Sequence, residues 1–287
     1  MADSLDMMID THAHAHFNAY KADMDEVIKR SLDKGTIINL VGTQSDTSAK
    51  AVTVAEKYDG VYASVGLHPE HLFSKYVDEA EGAFQSREES FDYEFYKKLG
   101  QNKKVIGIGE CGLDLYRIPD GHSAETMLPK QTEVFEQHIK LAAELNLPLV
   151  IHCREAHQYL IKILEKNSDK KLTGTIHCYT SNWTNAEQYL AMGYYIGFTG
   201  VITFPPLKAN PQAQIDLLEV VQKMPLDRML LETDCPYLSP IPYRGKRGEP
   251  WMIEATAQKI AEIRGLTLEE VLKITTENAR KLFTKML

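Results

Sequence analysis

Histidines and carboxylates follow short apolar segments at repeated places along the chain. His12 closes the segment MMIDTH, His152 follows LPLVI, and Asp234 comes shortly after MLL. Imidazole nitrogens and carboxylate oxygens are the ligands of Zn²⁺ and Mn²⁺, and carboxylates also suit Mg²⁺. The set predicts a centre of one or two divalent ions, without selecting among these metals. The ionisable residues at these places are His12, His14, His68, Glu110, Asp114, His152, Arg154, His177, Glu232 and Asp234.

The first of these groups is a His-x-His pair, His12 and His14. Side chains in a strand alternate with a period of two, so both imidazoles point to one side and can hold one ion together. A buried, hydrogen-bonded histidine pair is the alternative interpretation. His16 continues the spacing, but we favour the first two because they directly follow the apolar strand.

Two carboxylates are candidates for both metal binding and catalysis. Glu110 lies in VIGIGECGLD, where glycines permit close packing or the close approach of a ligand. Each of its two oxygens could bind a different cation, whereas an ordinary buried ion pair is the alternative. Asp234 lies in the expected same layer and could bind metal, accept a proton as a general base, or do both.

Cationic residues near these positions could contact a substrate. Arg154 lies two residues after His152 and faces the same way, so it could meet a substrate phosphate or a buried carboxylate. Arg244 and Lys246 lie in the segment YRGKRGEP. A solvated loop is the usual interpretation of such a segment, but beside a metal site it could also bind phosphate.

The elements that must position these residues are short apolar segments alternating with amphipathic stretches. Eight such alternations indicate an α/β fold, a single (β/α)8 TIM barrel with its site at the carboxyl ends of the strands, spanning residues 1–287 as one domain. Long connections are expected at residues 69–103 and 115–129. The predicted strands cover residues 7–12, 36–42, 61–69, 105–114, 147–153, 174–179, 194–200 and 228–236.

Some residues of suggestive type are expected to be structural. His138 lies on the apolar face of a predicted helix and should be a core histidine. Each cysteine directly follows an inward-facing candidate and should therefore face the surrounding helices as a small buried side chain. The cysteines are Cys111, Cys153, Cys178 and Cys235.

Composition excludes several other classes of protein. The 287 residues are 44% hydrophobic, enough for a large core, and the formal charge of −8 argues against a protein that coats nucleic acid non-specifically. The apolar segments are too short to span a bilayer, and the amino terminus does not resemble a signal peptide, so a cytoplasmic location is expected. No heptad seam or conspicuous apolar edge predicts an obligate protein partner.

Taken together, the motifs resemble those of the TatD family of metal-dependent deoxyribonucleases. The resemblance runs along essentially the whole chain and implies a (β/α)8 barrel, one or two divalent ions, and DNA as the substrate. It rests on IDTHAH, VGLHPE, IGECGLD, QTEVFEQHIKLAAELNLPLVIHCREA, HCY, ETDCPYL, RGKR and NARKLF.

The resemblance also implies roles for particular residues. One ion would be held by His12, His14, Glu110 and Asp234, and a second by Glu110, His152 and His177. His68 would contact the substrate or support a ligand. The chain departs from the family pattern at Gly248, where Asn is usual, and at Tyr179, where Phe is more common.

The leading hypothesis is therefore exonucleolytic hydrolysis of DNA phosphodiesters, with Glu110 and Asp234 as catalytic residues. The predicted substrate-binding residues are His68, Arg154, Arg244 and Lys246. A metal-dependent amidohydrolase, lactonase or phosphotriesterase acting on a small molecule is the alternative enzyme, and a metal-stabilised scaffold is the alternative without turnover. Strand preference and polarity stay open.

Overall fold

The computed structural model describes residues 7–73 and 88–286. Its eight strands form one sheet in the order β1 to β8, and every neighbouring pair is parallel. Apolar side chains dominate the strands because helices cover the outside while the inside is filled. The strands are β1 Met8–Ala13, β2 Thr36–Val41, β3 Val61–Val65, β4 Val105–Asp114, β5 Leu149–Arg154, β6 Gly174–Ile176, β7 Tyr195–Phe198 and β8 Met229–Leu231.

Helices connect these strands, as the predicted barrel requires. The longest ends at Asn146 in the left-handed conformation, φ 50°, a common way to terminate a helix. In the described part of the chain, no helix is long and apolar enough to cross a membrane. The helices are α1 Met24–Asp33, α2 Ser45–Ala55, α3 Tyr93–Gly100, α4 Ala124–Leu145, α5 His157–Lys166, α6 Trp183–Ala191, α7 Pro211–Lys223, α8 Ile253–Arg264 and α9 Leu268–Leu282.

Backbone hydrogen bonds join the first and last strands just beyond their regular segments. The Asp234 N–H donates to the His12 carbonyl at 2.9 Å, and the His14 N–H donates to the Cys235 carbonyl at 2.8 Å. These bonds continue the pairing of β1 with the chain after β8. The barrel is thereby closed by the same residues that carry the candidate metal ligands, and the predicted TIM barrel is confirmed.

Five strands end earlier than the sequence predicts, three of them by three residues or more. β3 ends at Val65, β6 at Ile176 and β8 at Leu231, so several candidate residues lie in the following loops instead of in strands. Of the two expected long connections, the first contains a 3-10 turn at Pro69–Leu72 and α3, while residues 74–87 lie outside the described residues. The second is shortened because α4 begins at Ala124.

An apolar cluster fills the barrel below the candidate site. Val150 and Leu230 belong to it and lie two residues before His152 and Glu232, so they face the same interior. The end of α9 contributes Phe283, which is fully buried. The cluster comprises Ile9, Val41, Ile106, Val150, Tyr195, Leu230, Ala279, Leu282, Phe283 and Met286.

Removing the ring of Phe283 should therefore weaken the whole barrel. We expect Phe283→Ala to lower the free energy of unfolding by about 3–5 kcal/mol, the cost of losing a fully buried aromatic side chain and leaving a cavity. Denaturant unfolding followed by circular dichroism measures this. Ile215→Ala on α7, where the side chain is 55% exposed, is the control and should change stability by less than about 0.5 kcal/mol. Equal effects of the two substitutions would contradict an interior position for Phe283.

Candidate metal centre

The carboxylate of Glu110 lies at the centre of the site. Its Oε1 atom is 2.9 Å from His177 Nε2, 3.2 Å from His152 Nδ1 and 3.3 Å from His68 Nε2. Glu110 is held there by the long strand β4. The preceding residue is Gly109, where an added Cβ would lie only 2.2 Å from the Val150 carbonyl oxygen. The glycine thus permits the close packing of β4 against β5 that the sequence suggested.

The second oxygen of Glu110 faces a different group. Its Oε2 atom is 3.3 Å from His12 Nε2 and 3.7 Å from His14 Nε2. Asp234 Oδ1 completes this group, 3.2 Å from His14 Nε2 and 3.8 Å from His12 Nε2. One carboxylate therefore stands between two sets of ligand-type atoms.

The spacing of the nitrogen atoms fits shared cations. His12 Nε2 and His14 Nε2 are 3.2 Å apart, and His152 Nδ1 and His177 Nε2 are 3.3 Å apart. Two imidazole nitrogens on one tetrahedral zinc ion, each at about 2.0–2.1 Å, would be roughly 3.3 Å apart. Both groups could hold a metal ion, and the donor types are those of Zn²⁺ or Mn²⁺ sites.

His68 lies closer to this centre than the sequence suggested. We expected it to contact the substrate or support a ligand, and its Nε2 atom lies among the possible ligand atoms around Glu110. Its Nδ1 atom accepts a hydrogen bond from the Glu70 N–H at 3.2 Å. That bond fixes the ring with Nε2 directed at Glu110.

Asp114 supports the site from behind His152. Its Oδ2 atom is 2.9 Å from His152 Nε2, which leaves Nδ1 of the same ring facing Glu110. Burial alone would raise the pKa of Asp114, but its hydrogen bond with His152 holds that pKa well below its usual range. The sequence placed Asp114 among the strand-end acids, but its part in orienting His152 depends on side-chain geometry that spacing does not specify.

Glu232 is a second supporting acid that the sequence interpretation did not select as a ligand. Glu232 is fully buried. Its Oε1 atom accepts a hydrogen bond from the Cys178 N–H and lies 3.7 Å from His177 Nδ1. Gly197 makes room for it, since a Cβ there would lie 2.2 Å from Glu232 Oε2. Burial raises the pKa of Glu232 to about 7. Its position two residues before Asp234 was the available signal.

The charges in the site are strongly coupled. Burial alone would raise the pKa of Glu110, but the surrounding imidazoles hold it well below its usual range. Burial and the nearby His177 lower the pKa of His12 to about 3. Burial opposes protonation of His14 and His152 as well, yet hydrogen bonds to Asp234 and Asp114 raise their pKa values to about 9 and about 10. A cation bound here would compete with protons on these two rings.

A cavity of about 730 Å³ opens above the cluster. Arg154 lines it, as predicted, and its guanidinium lies 3.7 Å from the centre of the Tyr116 ring. Arg244 is exposed and lies over the ring of Phe204 at 3.8 Å, and Lys246 is also exposed. Among the described residues that line the cavity, neither of these two cations is found.

The remaining candidates occupy the positions expected of structural residues, with one difference. His16 is buried; among the described residues, neither of its ring nitrogens has a hydrogen-bond partner, and His16 belongs to none of the groups that could hold a metal. His138 donates from Nδ1 to the Val134 carbonyl and accepts the Leu67 N–H, which confirms a core role. Three cysteines are buried and one is half-buried, and two of the four, Cys153 and Cys178, line the cavity. The buried ones are Cys111, Cys153 and Cys235, and the other is Cys178.

Gly248 departs from the family pattern at a tightly packed position. A Cβ at this residue would lie 3.0 Å from the Tyr237 carbonyl oxygen and 3.1 Å from Cys235 Cβ. The Gly248 carbonyl accepts a hydrogen bond from the Tyr20 hydroxyl at 2.5 Å. In this chain the position therefore serves backbone packing beside Asp234's loop.

A parallel barrel whose interior ends in imidazoles and carboxylates defines the class of metal-dependent hydrolases. The family model described as TatD related DNase matches residues 9–284, and the chain belongs to the TatD family. It is 39% identical to the uncharacterized metal-dependent hydrolase YabD of Bacillus subtilis (strain 168), over 96% of this chain and 99% of that protein. It is 32% identical to a protein of Pantoea vagans (strain C9-1) named 3'-5' ssDNA/RNA exonuclease TatD, over 96% and 99% of the two chains. The crystal structure of YJJV, a TatD homologue from Escherichia coli K12, superposes with a TM-score of 0.80 at 26% identity, covering 98% and 99%.

The geometry predicts that Asp114 tunes metal binding through His152. We expect Asp114→Asn to weaken the affinity for Mn²⁺ or Zn²⁺ by about 10- to 100-fold. The amide keeps only one accepting oxygen, which the Tyr116 and Arg117 N–H groups require, so its NH2 group would face His152 and could not accept a hydrogen bond from it. Isothermal titration of chelator-stripped protein measures the affinity. Asp120→Asn, in the exposed part of the following loop, is the matched control and should bind like the unmodified protein. Unchanged affinity in Asp114→Asn would show that His152 needs no such support.

Proposed function

We propose that this TatD-family hydrolase cleaves phosphodiester bonds of DNA from a strand end. The observation that carries the proposal is the position of Glu110, whose two oxygens face two separate groups of ligand-type atoms beneath an open cavity. Two cations held a few ångströms apart can stabilise both the attacking and the leaving oxygen of a phosphodiester. A shared carboxylate is a direct way to hold them at that separation.

The names of relatives support the same substrate. The Pantoea vagans protein, similar over nearly the full length of both chains, is named as an exonuclease acting on single-stranded DNA and RNA. The family model also carries the description DNase. We transfer this class of substrate to the present chain, with single-stranded DNA as the first substrate to test.

The proposed ligand sets follow the two groups of atoms. His12, His14, Glu110 and Asp234 would hold one divalent ion, and Glu110 with His152 and His177 the other. Bound there, such ions would lower the pKa of water and neutralise charge on the phosphoryl oxygens. The supporting acids keep the imidazoles in their ligand orientation.

Other side chains supply orientation and proton transfer in this proposal. Asp234 is 17% exposed and faces the cavity; burial opposes its ionisation, but the hydrogen bond to His14 keeps its pKa below the usual value. It is therefore a carboxylate at neutral pH and can accept the proton of the attacking water. Arg154 would neutralise a substrate phosphate, and His68 would fix the outer edge of the Glu110 carboxylate. Arg244 and Lys246 could contact only a longer strand that extends beyond the cavity.

Hydrolysis of a small amide, lactone or phosphotriester remains the competing proposal for the same metals. Many such barrels bridge their ions with a carbamylated lysine. Among the described cavity-lining residues there is no lysine, and Glu110 occupies the place between the two groups. This favours the phosphodiester as the substrate.

The decisive variant is Glu110→Gln, which keeps the shape of the side chain and removes its charge. We expect it to reduce cleavage of end-labelled single-stranded DNA by more than about 100-fold, because it removes a ligand from both proposed sites. The assay uses chelator-stripped protein with Mg²⁺, Mn²⁺ or Zn²⁺ added back, and the products are separated on a sequencing gel.

The matched control is Glu187→Gln on the exposed face of α6, which should cleave like the unmodified protein. Progressive shortening of the label that depends on metal and on Glu110 would support the proposal and reveal the polarity. A fully active Glu110→Gln protein would sink the assigned mechanism. Absence of cleavage with all three metals would shift the proposal to small-molecule substrates.

A further inference from the structure

An exposed aromatic ring stands at the mouth of the metal cavity. Tyr116 is 57% exposed, although the chain buries most of its large aromatic side chains, and it lines the same cavity as Glu110 and Asp234. A large exposed ring at the edge of a catalytic cavity is a surface on which a flat ligand can lie.

The backbone of this ring is fixed to the metal centre. Asp114 Oδ1 accepts hydrogen bonds from the Tyr116 N–H at 2.8 Å and the Arg117 N–H at 3.1 Å, while its other oxygen contacts His152. One buried carboxylate therefore sets both the orientation of a proposed metal ligand and the start of the loop that carries the ring. The ring is placed by the structure of the site and not by a freely moving loop.

The side chain of Tyr116 is also positioned by a neighbour. Pairing of β4 with β5 continues past Asp114, where the Leu115 N–H donates to the Arg154 carbonyl at 3.0 Å. This brings the Arg154 guanidinium over the ring at 3.7 Å, a cation–π contact. A cation suited to phosphate thus covers one face of the ring, and a base would stack on the opposite face of this side chain, which is 57% exposed.

The geometry points to Tyr116 as a stacking platform for one nucleobase of the strand being cleaved, with the base on the ring face opposite Arg154 and the Arg154 guanidinium contacting the phosphate backbone. The inference rests on the proposed nuclease function and adds a residue that binds the single strand by stacking on one of its bases. Stacking on an aromatic ring needs an unpaired base, because the faces of a base in a duplex are covered by its neighbours. The platform therefore selects a frayed or single-stranded end.

The test combines protein variants with abasic substrates. End-labelled oligothymidylates, each with one tetrahydrofuran abasic residue moved stepwise from the end, are digested with the activating metal, and kcat and KM are measured separately. In the unmodified protein, one abasic position should raise KM by about 5- to 100-fold, the effect of losing one base-on-aromatic contact. In Tyr116→Ala, KM for the intact strand should rise to the same extent and that abasic position should bring no further rise.

Companion variants separate stacking from other effects. Tyr116→Leu keeps apolar bulk without the ring and should behave like Tyr116→Ala, whereas Tyr116→Phe keeps the ring and should restore the abasic penalty. Tyr159→Ala removes a tyrosine of similar exposure, 48%, on α5 outside the cavity and should leave all values unchanged. Thermal unfolding checks that each variant is folded.

The outcomes distinguish this inference from the nuclease proposal. If the unmodified protein digests the strands but Tyr116→Ala retains the same abasic penalty, or lowers only kcat, Tyr116 is not a stacking platform. If the unmodified protein digests no oligonucleotide with Mg²⁺, Mn²⁺ or Zn²⁺, the nuclease function fails and the platform fails with it.

Discussion

The structure depends on keeping one carboxylate charged in the interior of a barrel. Glu110 is 4% exposed, and a buried carboxylate without partners would be strongly unfavourable. Imidazoles from four separate strands or their following loops converge on it, so no local segment could build this environment. A closed parallel barrel can, because it brings the carboxyl ends of all its strands into one ring.

Hydrogen bonds from buried acids to the residues around the candidate ligands hold the strand ends in register. Asp10 is fully buried and accepts the backbone N–H groups of His12 and Thr233 and the Thr233 hydroxyl. It thus ties the first strand to the loop after the eighth, where Asp234 lies. Asp114 likewise hydrogen-bonds His152, and Glu232 accepts the N–H of Cys178, the residue after His177. Buried acids behind candidate ligands are the arrangement that gives a metal site its orientation.

The sequence predicted the barrel and the His12 and His14 pair because both follow from a strand pattern and its period of two. The place of Glu110 between two ions was suggested instead by its two oxygens and by the family resemblance. It did not predict where the loops would turn. Asp234 has a φ of 56° and Cys178 a φ of 45°, so the chain leaves extended geometry at these residues and alternation no longer gives side-chain direction. For the same reason the half-buried position of Cys178 was missed. The choice of Arg244 and Lys246 as substrate contacts relied on proximity along the chain, which does not determine which side of a loop faces the cavity.

Stability and chemistry share the same strands in this barrel. On β5, Val150 belongs to the apolar cluster that fills the interior, and His152, two residues later, reaches Glu110. An insertion of one residue between them would turn either the apolar side chain or the ligand to the helical side, since alternate residues face opposite sides. Leu230 on β8 belongs to the same cluster, and Glu232, the residue directly after that strand, lies beside His177. The apolar filling below therefore fixes the register of the ligands above, while the loops beyond the ligands can change length without disturbing either.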